Sequence, residues 1–210
     1  MNYSIGSNDR EAPELSNYDF DRRIGRNNNR SEVSMNYFPH SPIEVPRGDN
    51  GLIASDKESL AEFWTKVDKE LEDGLSDATG CYIFSVRAAK GALPWYVGLA
   101  ERQSFRRECF TSHKIVHYNN VVADRKGTPL LTLIAKYTPS GRLSGPISSE
   151  QRDIQFLETM LISCCLARNS ELYNIKDTKL LREMVVPGLL NTPQGKSNSS
   201  VLDFRALIGM

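Results

Sequence analysis

The sequence predicts an α+β domain. Three observations carry that expectation: two stretches with apolar residues at helical spacing, three short runs rich in aromatic and β-branched residues, and Gly/Pro clusters between them. The first helix starts near Ser55, where Ser55-Asp56-Lys57-Glu58 has the form of a capping box. Leu60, Phe63, Trp64, Val67 and Leu71 then recur at i, i+3, i+4, i+7 and i+11, one stripe for burial, and Gly74 is a natural stop. Cys81–Val86 is the first strand. Gly91-Ala92-Leu93-Pro94 is a turn, and Trp95-Tyr96-Val97 is a second strand ending at Gly98, so the two form a hairpin with a long connection. Residues 101–118 are polar, basic and helical in two pieces. Leu130–Tyr137 is the third strand. Pro139, Gly141, Gly145 and Pro146 mark a loop, Ser148–Gln151 repeats the capping pattern, and Ile154, Leu157, Leu161 and Cys165 give the second apolar stripe. A short helix over Lys179–Met184 ends before Pro187, residues 191–200 are a linker, and Leu202–Ile208 is a last amphipathic turn or two.

These elements divide the chain into four parts. Residues 1–50 are rich in Asn, Arg and Pro and show neither helical nor strand periodicity, which predicts a disordered polar arm. Residues 51–78 are the amphipathic N-terminal helix, 79–186 the main domain and 187–210 a C-terminal extension. No stretch has the run of about 18 apolar residues that spans a bilayer, and Met1–Arg10 lacks the apolar core of a secretory signal. Cys81, Cys109, Cys164 and Cys165 show no CxxC spacing, which argues against structural zinc and for reduced thiols. A cytoplasmic protein with no membrane partner is expected.

The net charge is zero, with 26 basic and 26 acidic residues, but the charges are segregated. Residues 80–140 hold nine basic residues against three acidic ones, and residues 49–77 hold nine acidic against three basic. Either the two segments neutralise each other, or the basic one is a face for phosphates. On the second reading Arg102, Arg107 and Lys114 are the nucleic-acid-binding residues.

One constellation stands above this background. Gly80-Cys81-Tyr82 opens the hairpin and Tyr96-Val97-Gly98 closes it, Arg106 follows on the next helix, Glu158 sits in the second apolar helix, and Asn174 lies in the turn beyond. In that order the five positions resemble the GIY-YIG nuclease family over roughly residues 79–177. Cys81 stands where the family's first motif has Ile, the connection between the tyrosines is somewhat long, and Phe110 stands where some members have a His, with His113 three residues on.

The resemblance implies a small three-stranded antiparallel sheet flanked by helices and a metal-dependent endonuclease hydrolysing DNA. It assigns catalytic roles to Tyr82, Tyr96, Arg106 and Asn174 and makes Glu158 the ligand of a Mg²⁺ (or Mn²⁺) ion. Such hydrolysis needs an activated water, neutralisation of the developing phosphate charge and help for the leaving oxygen. A guanidinium suits the phosphate, a single carboxylate suits Mg²⁺, and either tyrosine could take the proton, with Tyr82 favoured. The alternatives are a non-catalytic nucleic-acid- or protein-binding module on the same fold, and a nuclease acting on RNA. No separate binding domain is visible, so specificity would come from DNA structure or from a partner protein.

Overall fold

The computed structural model describes residues 35–174 and 178–209. Its centre is a five-stranded antiparallel sheet: β1 (Asn36–Pro39), β2 (Ile43–Glu44), β3 (Gly80–Ala88), β4 (Gly91–Ala100) and β5 (Thr128–Tyr137). The strand order is β1-β5-β3-β4, and β2 also pairs with β5. The helices are α1 (Lys57–Glu70), α2 (Phe105–Glu108), α3 (Ser112–Asp124), α4 (Arg152–Arg168), α5 (Thr178–Glu183) and α6 (Ser199–Leu207).

The α+β class stands, with five strands rather than three. The two additional strands come from the segment expected to be a disordered arm. Over 35–50 that expectation is corrected, and residues 1–34 lie outside the described residues. The β1 register runs from Asn36 opposite Tyr137 to Pro39 opposite Ile134, and β2 sets Ile43 opposite Leu131. Between and beyond them the His40 and Val45 amides donate to the carbonyls of Leu133 and Pro129, so β1 and β2 together line one edge of β5. Ile43 and Val45 are buried there, and the buried His40 ring meets the Tyr137 hydroxyl at 3.2 Å. Pro39 and Pro42 interrupt a strand that needs amide donors on one side only, as an edge strand tolerates.

Alternation along β3 sorts its side chains onto two faces. Tyr82, Phe84 and Val86 join Phe63, Trp64 and Val67 of α1, Phe105 of α2, and Tyr118 and Val121 of α3 in one core. Cys81 and Ile83 face the other way and pack with Val97 and Ile134 against Ile154, Ile162 and Cys165 of α4. Helices therefore cover the sheet on both faces, and β3 is buried along nearly its whole length.

Local signals shift by small amounts. Asp56, one residue beyond the expected Ser55, caps α1, its carboxylate accepting from the Ser59 amide at 2.8 Å. The helix ends at Leu71, and Gly74, with φ of +78°, opens a short 3-10 turn over Leu75–Asp77. The hairpin connection is tighter than expected. Only Ala89 and Lys90 separate the strands, Gly91 takes φ of +103°, and the register slips by one residue beyond Phe84, so that Trp95 forms a bulge. The extra length between the two tyrosines is thus strand rather than loop.

Candidate active site

Tyr82 and Tyr96 reach the same face of the hairpin from adjacent strands, with ring centroids 6.3 Å apart. Their environments differ sharply. Tyr82 is fully buried, and its hydroxyl has no hydrogen-bond partner; the same holds for Tyr118, whose ring stacks on Phe84. Burial drives both phenols well above their ordinary value; Tyr96, Cys109 and Glu108 add to the rise in each, while the Tyr82 hydroxyl pulls Tyr118 the other way. Tyr82 lies directly opposite Gly98, and a Cβ at Gly98 would overlap the end of the Tyr82 ring. The glycine that closes the second motif is the floor for the tyrosine of the first.

Tyr96 is half-buried. Burial first, then the carboxylates of Glu158 and Glu108, push its phenol up to about 12. Its ring stacks on His117 of α3 at 5.7 Å, and His117 in turn meets Tyr173 at 5.7 Å. Glu158 comes from α4, on the opposite face of the sheet, yet its charge acts on both Tyr96 and Cys81. Asp153, five residues earlier on α4, is occupied by Lys136 and the Tyr37 hydroxyl, each at 2.7 Å.

Asn174 has a definite structural task. Its side-chain oxygen accepts from the Val97 amide at 2.8 Å, and its amide nitrogen donates to the Val97 carbonyl at 2.7 Å. Asn169 Nδ2 donates to the Pro94 carbonyl and the Tyr173 amide to the Trp95 carbonyl. The segment after α4 thus satisfies the outer edge of β4 as a neighbouring strand would. Asn174→Ala is expected to cost about 2–3 kcal/mol, because it strands two buried backbone groups. Urea unfolding would measure this, and Asn174→Asp should also destabilise, since a carboxylate cannot donate to the Val97 carbonyl.

Two expected site residues are placed otherwise. Arg106 is already engaged by an acidic pair and a serine. Its guanidinium donates to Ser76 Oγ at 2.5 Å and to Asp68 at 3.2 Å, and approaches Asp77 at 3.7 Å. These partners lie in α1 and the 3-10 turn, so here the acidic segment neutralises the basic one. Lys114, expected on an exposed phosphate face, is buried with only 6 % of its surface accessible. Its ammonium donates to the Glu108 carbonyl at 3.0 Å and to the Glu108 carboxylate, and sits 5.3 Å from the centre of the Tyr82 ring. A desolvated lysine with its own counter-ion cannot meet a nucleic-acid backbone. Arg102 and Arg107 are exposed, and Arg102 pairs loosely with Glu101 and Glu150 at 3.6 and 3.7 Å.

His117 was missed by sequence reasoning, which noticed only His113. The available signal was their i,i+4 spacing, which puts both on one helix face. Among the described residues no three His, Cys, Asp or Glu side chains converge on a common point. A magnesium ion does not need such a cluster: one or two carboxylates, substrate oxygens and several waters suffice. Glu158, half-buried on α4, is the carboxylate that the resemblance offers for such an ion. Comparison with protein-family models, curated proteins and solved structures gives no match to the chain.

Proposed function

We propose that the chain is a metal-dependent endonuclease that hydrolyses phosphodiester bonds of DNA. The observation that carries this reading is that the Glu158 carboxylate, on the helix across the sheet, raises the Tyr96 phenol electrostatically, beside a β4 edge fixed by Asn174. It is supported by the order of the elements, hairpin, helix, strand and helix, which is the order in which the five resembling positions occur.

The geometry changes the division of labour. Tyr82 is sealed from water and serves the core. Tyr96 is the tyrosine within reach of substrate, and a phenol held at about 12 stays protonated at neutral pH. It therefore donates a hydrogen bond to a phosphate or leaving oxygen rather than accepting the proton of water. Glu158 would hold the Mg²⁺ or Mn²⁺ ion, which supplies positive charge to the scissile phosphate and activates water. Arg102 and Arg107 are exposed cations that would meet the phosphate backbone.

A second reading, a non-catalytic module binding nucleic acid or protein, is favoured by the closure of Tyr82 and the neutralisation of Arg106. Supercoiled plasmid and a structured RNA, each incubated with protein at zero and millimolar Mg²⁺, separate the readings. The endonuclease reading expects Mg²⁺-dependent nicking of plasmid. Glu158→Ala should abolish it while leaving the fold and DNA binding intact, and Tyr96→Phe should lower it by about 10²–10³-fold, the usual loss for one donor to a transition-state oxygen. Binding without cleavage by the wild type would establish the second reading, cleavage of RNA alone would reassign the substrate, and wild-type-like nicking by Glu158→Ala would overturn the site.

A further inference from the structure

The surface of α3 carries a second arrangement of titratable groups that the hydrolytic reading does not use. His113 and His117 stand four residues apart on this helix, and their Nε2 atoms face each other at 3.1 Å with the rings nearly perpendicular, at 84°. His113 is exposed and His117 half-buried. His117 is held in place by its ring contacts with Tyr96 and Tyr173. We infer that His113 and His117 form a two-imidazole binding site for a divalent transition-metal ion of the zinc class.

The spacing suits that chemistry. An ion about 2.1 Å from each nitrogen, the usual zinc–imidazole distance, would see these two ligands at an angle of about 95°, and a small opening of the pair reaches the tetrahedral value. Imidazole nitrogen selects zinc, copper or nickel over magnesium, so this ion is chemically distinct from one held by Glu158. A metal ligand must offer a free lone pair. Burial, and then the neighbouring His113, hold His117 toward the neutral form that has one. No third His, Cys, Asp or Glu joins the pair among the described residues, so water or an oxyanion completes the coordination. The third histidine, His40, is engaged elsewhere with Tyr137 and Glu72, which leaves the pair clearly addressable.

The competing account is a hydrogen bond between two neutral rings that has no affinity for metal. The full chain, stripped with chelator and then titrated with Zn²⁺, distinguishes them. At a Zn²⁺ concentration about 100-fold above Kd the melting midpoint should rise by about 5–10 °C. The imidazole resonances of His113 and His117 should shift while those of His40 stay. Mg²⁺ should move neither ring. His113→Ala, a change at an exposed position, should remove both responses, and Cys164→Ser should keep them, because the exposed Cys164 thiol lies on α4 and not at this site. Glu158→Ala should also keep the Zn²⁺ response, so a failure of the hydrolytic reading leaves this one standing. No response in the wild type, or an equal response in His113→Ala, would overturn the site.

Discussion

Gly98→Ala is expected to destabilise the protein by about 3 kcal/mol, the upper end of the usual cost of overpacking. For a chain of this size that is a fall of about 6–12 °C in the melting midpoint. The added methyl would be driven into the Cζ and hydroxyl of Tyr82. That ring cannot swing aside, because it is fully buried between β4 and the core formed by α1, α2 and α3. Shortening the obstacle should restore room: in a Tyr82→Leu background, Gly98→Ala should cost much less than it does alone. Thermal melts of the two single variants and the double variant test the coupling. A Gly98→Ala protein melting within a degree or two of wild type would show that the hairpin yields at this point. The result bears on how the two motifs are understood, since their tyrosine and glycine are then held together by packing before any chemistry is considered.

A comparably large effect is expected at high pH. Tyr82 and Tyr118 are both fully buried, and their phenols are raised well above the ordinary value, chiefly by burial. In the unfolded chain each ionises near its ordinary value of about 10. The stability that depends on their protonated forms is therefore complete below about pH 10. It is lost as pH rises further, because the unfolded state then releases protons that the folded state retains. Each such phenol contributes about 1.4 kcal/mol per pH unit, so the pair costs about 3 kcal/mol for every unit above 10. Tyr96, raised to about 12, adds to the loss in the same direction between those two values. Urea midpoints measured at rising pH should fall steeply above 10, with phenolate absorbance appearing together with unfolding. Tyr82→Phe should remove about half of the slope due to the buried pair. At neutral pH it should leave stability unchanged or improved, since the hydroxyl it deletes has no partner. A slope indifferent to Tyr82→Phe would show that the phenol ionises inside the fold.

Periodicity in the sequence was sufficient for the elements that bury a continuous face. The stripe from Leu60 to Leu71 became α1, with Phe63, Trp64 and Val67 buried, and the runs at 81–86 and 130–137 became the centre of the sheet. At β1 and β2 the composition pointed the wrong way, to a disordered arm. Their pairing is dictated by the vacant edge of β5, and of the local apolar residues only Ile43 and Val45 are buried there, with Phe38 left exposed. Two short segments separated by Pro42 carry too few alternations to register as strands. The site was legible as a set of positions but not as a set of directions. Arg106 was readable as a helix arginine, but its partners Asp68 and Ser76 lie 38 and 30 residues earlier, and nothing local shows that they capture it. Lys114 reads as an exposed charge in a basic stretch. Its burial follows from the way α2 and α3 set Glu108 and the Tyr82 ring around it. Asn174 is the contrary case: an asparagine in a turn, noticed through resemblance, whose two hydrogen bonds to Val97 give that position a physical cause.

The amide cover over β4 also has a consequence in time. The carbonyl of Pro94 is satisfied by a residue 75 positions later, and the amide and carbonyl of Val97 by one 77 positions later. At about 5–20 residues per second, a ribosome takes some 4–15 s to supply those residues after β4 itself has been made. Until then, wherever β3 and β4 have already paired, the outer strand offers unpaired backbone donors and acceptors, the kind of edge on which a neighbouring chain on the same messenger can add a strand. Asn169 and Asn174 are thus the last pieces of the sheet to arrive, and their emergence ends the period in which an incomplete copy is open to pairing with another.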